Sequence, residues 1–132
     1  RDLNVRSRRQ RQMCIRDSFY TNQTCDFINI DHVVSLKDAY DSGAASWSTY
    51  KKRTFANDRA NQVPSCGRVN SSKGSAGPKD FLRRSNDGNG LDYAIVRFCE
   101  YVQKYHAGKA GYGLSFEAND SATFEQCGVS IG

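Results

Sequence analysis

The chain has 132 residues, enough for one domain, and nothing in its patterning marks a second hydrophobic core. Hydrophobic residues make up 38%, with 11 Gly and only 2 Pro, a balance that excludes a disordered or fibrous polymer. The formal net charge of +5 decides little by itself, because residues 1–18 hold six of the 19 Lys and Arg against Asp2 and Asp17. The remainder carries 13 Lys and Arg against 12 Asp and Glu, a surplus of one.

The run from Arg6 to Ser18 has no hydrophobic period. Basic arms of this kind often grip nucleic acid, but this one looks like a translated sequencing-adapter read-through. Residues 1–18 are therefore expected to be a non-native leader and residues 19–132 the domain. Setting Cys14 aside leaves Cys25, Cys66, Cys99 and Cys127. Four widely spaced cysteines in a small domain suggest two disulfides and an exported protein, with three connectivities open and ordinary buried thiols as the alternative. No C-x-x-C pair is present to begin a tetrahedral zinc site. Neither a signal peptide nor an apolar run of about 18 residues is visible, so no membrane association is expected. A non-native leader would stand where an export signal had been.

In chain order, a turn at Thr21 and Asn22 leads into an extended, β-branched segment running to Asp31, His32, Val33 and Val34. Leu36 to Tyr40 has helical spacing, with Gly43 placed to end it. Ser46 or Ser48 caps a second helix through Trp47, Tyr50 and Phe55, with Lys51, Lys52 and Arg53 on its outer face. Asn61 to Cys66 reads as a short strand, at an edge because of Pro64. Asn70 to Gly74 suits a helix start or a tight loop. Pro78 opens a helical stretch through Phe81 and Leu82, and Ser85 to Gly90 is a surface loop. Ile95, Phe98, Val102 and Tyr105 mark the longest amphipathic helix, from Leu91 to about Ala107. Tyr112 to Gly132 is a short mixed tail that Cys127 pins down.

Phosphodiester hydrolysis needs a base to activate water and a cation to neutralise charge on the phosphate. Asp31 and His32 sit at a strand end, where successive side chains point to opposite sides and can serve different partners. Imidazole suits the base role because it titrates near neutrality. His106, on the long helix beside Ala107 and Gly108, reads as a satisfied or surface histidine, and Asp58 as an ordinary loop acid. No interleaving of aromatic and basic residues suggests a stacking platform for single strands.

Asp31-His32 followed by Asn61, then by Asn70 and Lys73-Gly74 with a nine-residue step between the two asparagines, resembles the HNH nuclease motif. Residues 31–84 are similar to secreted bacterial nucleases and to the HNH module of modification-dependent restriction enzymes. The resemblance implies an α+β fold: a small ββα-metal core, a two-stranded element plus a helix, elaborated by additional helices. It implies a DNA endonuclease, with RNA as an alternative substrate, acting as a monomer without an obligate protein partner. His32 would be the general base and Asn61 the brace that positions it. Asp31 and Asn70 would ligate one divalent cation, Mg²⁺ or Mn²⁺, which suits hard oxygen donors. Lys73 and Arg68 would contact phosphate, with Arg59, Lys79, Arg83 and Arg84 flanking. A secreted or periplasmic, bacterial-type location follows from the same resemblance. A catalytically silent nucleic-acid-binding or toxin-associated module of the same fold is the alternative.

Overall fold

A computed structural model describes residues 18–81 and 95–132. Of residues 1–18, expected to be a leader, only Ser18 is described; it is buried, with its hydroxyl accepting from the Cys66 N–H at 3.3 Å. Residues 1–17, Leu82, Arg83, Arg84, the loop at 85–90 and the expected helix start at Leu91 lie outside the described residues.

Strand β1 (Ile28–His32) pairs antiparallel with β2 (Gln62–Cys66), so that Ile28 faces Cys66, Asp31 faces Val63 and His32 faces Gln62. With two strands in the sheet among the described residues, each has an outer side, which is where a proline is tolerated. The Pro64 carbonyl turns away from β1 and accepts the Phe19 N–H at 2.8 Å. The missing proline donor falls on that same outer side and removes no bond from the ladder.

Between the strands run α1 (Leu36–Asp41) and α2 (Thr49–Ala56). Ser35 caps α1 by accepting from the Asp38 N–H at 2.9 Å, and Ser48 caps α2 through Lys51 at 3.1 Å. Gly43, just past α1, adopts a φ of 139° that lets the chain leave the helix. Ser46, the other candidate cap, instead closes the 3-10 turn Ala44–Ser46. A second 3-10 turn, Arg59–Asn61, is capped by Asp58 and delivers the chain to β2.

Helix α3 (Gly67–Lys73) starts directly from β2, with Cys66 as both last strand residue and N-cap. Asn70 therefore lies inside a helix and does not start one. The order β1, β2, α3 makes the expected ββα core, and the fold is α+β with further helices. The long helix, α4 (Phe98–Tyr112), begins later than its apolar spacing suggests. The Val96 N–H bonds the Tyr20 carbonyl at 2.8 Å, which holds Ile95 to Arg97 out of the helix. The tail contains one more helix, α5 (Ser121–Glu125), which Asp120 caps through the Thr123 N–H at 3.0 Å.

The core gathers Val33, Val34, Phe55, Val69 and Phe124 around the aromatic trio Tyr20, Phe81 and Tyr101. The trio meets edge to face with centroids 5.1 to 5.6 Å apart. Lys109 of α4, 1% exposed, pairs with Asp38 of α1 at 3.0 Å, and the Tyr105 hydroxyl donates to the same carboxylate at 2.5 Å. The four cysteines form Cys25–Cys66 and Cys99–Cys127, one of the three open connectivities. The first ties the approach of β1 to the start of α3, and the second ties α4 to the tail. Among the described residues, no helix is long and apolar enough to cross a membrane.

Candidate active site

Period-two alternation places Asn29 and Asp31 on one side of β1 and His32 on the other. Asp31 is 6% exposed. Its Oδ2 accepts a hydrogen bond from the Tyr20 hydroxyl and lies 3.3 Å from the Lys73 ammonium. Lys73 also donates to the His32 carbonyl at 3.1 Å. One lysine of α3 thus holds both the carboxylate and the backbone at the end of β1. Asn70 lies three residues earlier on α3, so its side chain and that of Lys73 occupy neighbouring positions on the helix surface.

These contacts perturb both donors. Burial, then the Asp31 charge, pushes the Tyr20 hydroxyl well above its usual range, which keeps it a proton donor. Burial lowers Lys73 from its ordinary value, and Asp31 opposes that by favouring the ammonium form.

On the other side, His32 Nε2 lies 2.8 Å from the Ala56 carbonyl at the end of α2. A carbonyl only accepts, so Nε2 carries a proton, and Nδ1 is the ring nitrogen able to accept one. Gln62, across the ladder from His32, donates to the same carbonyl at 3.0 Å and fixes it. The chain beyond His32 is clamped as well. Asn61, 2% exposed, accepts from the Val34 N–H at 2.8 Å and donates to the Val34 carbonyl at 3.0 Å. The Val33 N–H bonds the Asn61 carbonyl at 2.8 Å.

Not every residue singled out from sequence joins this cluster in the expected way. Lys73, read as a phosphate contact, is 0% exposed and points inward, because the end of β1 offers it a carboxylate and a carbonyl. Arg68 and Asn70 line an open cleft of about 600 Å³ with Asn29, Ser71 and the Cys25–Cys66 bridge. Arg68 is exposed there and Asn70 half-buried. Lys79 and Arg59 are exposed on other surfaces. Asp58 caps its turn through the Ala60 N–H and accepts from the Tyr112 hydroxyl at 2.8 Å. The His106 Nε2 meets the Ser130 carbonyl at 2.9 Å and the ring stacks on Phe116, a satisfied histidine as expected.

Two participants were not found from sequence. Asn29 could have been read from the strand period, two residues before Asp31. Tyr20 carries no local signal, since its approach to Asp31 depends on how the chain ahead of β1 folds back over the core.

Among the described residues, no three His, Cys, Asp or Glu side chains converge to form a metal cage. Among the described residues both contacts of Asp31 use Oδ2, which leaves Oδ1 outside them, and Asn70 carries an amide oxygen on α3. Two such oxygens, completed by water and phosphate, match the ligand chemistry of Mg²⁺.

Residues 3–122 match the family described as GmrSD restriction endonucleases, C-terminal domain. An uncharacterized secreted protein of Arthroderma benhamiae is 45% identical over 56 residues, covering 41% of this chain and 28% of that protein. The chain thus spans under a third of the length of that relative. No solved structure matches.

Proposed function

Because the chain belongs to the family of GmrSD restriction endonuclease C-terminal domains, we propose that it hydrolyses phosphodiester bonds of DNA with one divalent cation and His32 as general base. The observation that carries this reading is the His32 ring: the Ala56 carbonyl accepts a hydrogen bond from its Nε2–H, which leaves Nδ1 to accept a proton. Asn61 keeps the ring in place by clamping the backbone at Val34. Asp31 Oδ1 and the Asn70 amide would hold Mg²⁺ or Mn²⁺, which would neutralise charge on the phosphate and the leaving oxygen. Lys73 acts indirectly, by fixing Asp31 and the end of β1. Arg68, exposed beside Asn70, would contact the nucleic-acid backbone and add affinity without sequence preference.

Two disulfides and the likeness to a secreted Arthroderma protein support an extracellular setting. A second reading, a binding module without catalysis, is favoured by one observation: Asp31 is nearly buried and already engaged by Tyr20 and Lys73.

Nicking of supercoiled plasmid separates the two. The expected result is Mg²⁺- or Mn²⁺-dependent nicking that EDTA stops and that His32→Ala reduces at least a hundredfold, the scale of a lost general base. Equal nicking by the wild type and His32→Ala would remove the role given to His32. Retardation of DNA without nicking would select the binding module.

A further inference from the structure

Helices α1 and α2 leave a groove between them of about 380 Å³, walled by Leu36, Tyr40 and Trp47 and floored by Phe55. That volume falls within the usual range of small-ligand sites, roughly 300 to 1,000 Å³. Its walls are apolar and aromatic, and among the described residues the charged side chains lining it are Lys52 and Arg53. Among the described residues no carboxylate borders it, whereas the neighbouring cleft on the far side of α1 holds Asp38, Asp41 and Asp80. Ala56 also lines the groove, and its carbonyl accepts the hydrogen bond from His32 Nε2. Leu36 and Tyr40 stay 49% and 58% exposed, so one aromatic wall faces solvent and is open to a planar partner.

A second cleft of about 550 Å³ shares Arg53 and continues past Arg59 and the exposed Tyr50. Tyr40 of α1 and the aromatic and cationic residues of α2 thus border two clefts that share Arg53. An apolar groove with a cationic rim complements a base attached to phosphates.

We propose that the α1–α2 groove is a nucleobase subsite, which takes an unpaired base of the strand being cut while Lys52 and Arg53 hold its flanking phosphates. The proposal rests on the nuclease reading for what lies beside the groove, at His32. It implies that the enzyme engages single-stranded or locally opened nucleic acid through this slot, since a base inside a duplex cannot enter it.

Trp47 is the only tryptophan of the chain and lines the groove, so its fluorescence reports occupancy. The test titrates a short oligothymidylate, and the same oligomer with abasic sites, into the intact protein in EDTA, so that no cleavage is needed. The expected result is saturable quenching by the oligothymidylate, at least tenfold weaker for the abasic oligomer. Tyr40→Ala, a change at an exposed side chain, is expected to weaken binding by roughly tenfold, the scale of one stacked base. Arg53→Gln is expected to weaken it and to flatten its salt dependence.

Equal quenching by both oligomers, or a Tyr40→Ala variant that binds like the wild type, would overturn the subsite. So would sedimentation showing that a second copy of the chain fills the groove and alters Trp47 emission without any oligomer. Plasmid nicking by the wild type is scored separately. Nicking without base-dependent quenching removes the subsite alone, and base-dependent quenching without nicking removes the catalytic reading alone.

Discussion

The Lys73 ammonium lies 3.3 Å from the Asp31 carboxylate, and the two side chains are 0% and 7% exposed. A buried pair of this kind is costly to break from one side, because the charge left behind has neither water nor a counterion. Lys73→Met is expected to destabilise the fold by about 3 kcal/mol. Adding Asp31→Asn should recover much of that loss without restoring nicking. Denaturant unfolding of the two single variants and the double variant checks this coupling. Additive losses would show that the pair acts independently.

Asn61 satisfies both backbone groups of Val34. Asn61→Ala leaves a buried N–H and a buried carbonyl without partners, at about 1 to 3 kcal/mol each. A lower midpoint of unfolding and reduced nicking are expected together. Nicking at wild-type level in a folded Asn61→Ala protein would mean that the clamp at Val34 does not position His32.

The two disulfides close loops with sequence separations of 41 and 28. Loop-closure entropy assigns each about 4 kcal/mol. Thiol titration of the denatured, unreduced protein should find no more than one of the five cysteines reactive. Cys25→Ser with Cys66→Ser is expected to impair nicking more than Cys99→Ser with Cys127→Ser, because only the first bridge abuts β1 and α3. An equal effect of the two pairs would show that the loss is one of global stability alone.

Alkaline conditions should unfold the protein. Burial, first among the causes, raises the hydroxyls of Tyr20, Tyr101 and Tyr105 above their ordinary value. A raised folded value adds stability that is complete below about pH 10, where free tyrosine titrates, and is lost as pH climbs further. Lys73, lowered by burial, contributes the opposite sign as pH approaches its ordinary 10.5, because the unfolded chain then binds more protons. Three tyrosines outweigh one lysine. The midpoint of denaturant unfolding should fall steeply above about pH 10, less steeply in Tyr105→Phe. A flat profile through that range would contradict the burial of these hydroxyls.

The strand end that carries Asp31 and His32 was legible because strand alternation is recorded in local residue order, whereas Asn61, expected to begin the second strand, closes the 3-10 turn before it. Sequence reasoning could not place Lys73. Whether a lysine turns inward depends on acceptors brought from elsewhere, here a carboxylate and a carbonyl at the end of β1. Helix α4 starts late for a similar reason, since the Val96 contact with Tyr20 overrides apolar spacing that already runs through Ile95. Helix α5 is five residues long, too short for periodicity to register, and Asp120 was its one local signal. Helix α3 was obscured because Cys66 ends a strand and begins a helix with no loop residue between them.

The Cys25–Cys66 bridge makes β1, α1, α2 and β2 part of a single covalent ring. Hydrolysis of any one peptide bond between residues 26 and 65 would open that ring into a line without releasing a fragment. A protease that clips the surface-exposed face of α2 would therefore leave Asp31 and His32 tethered to Asn61 and α3. Electrophoresis of clipped protein should show one species until a reductant divides it in two, and the clipped form would have its parts at hand to reassemble.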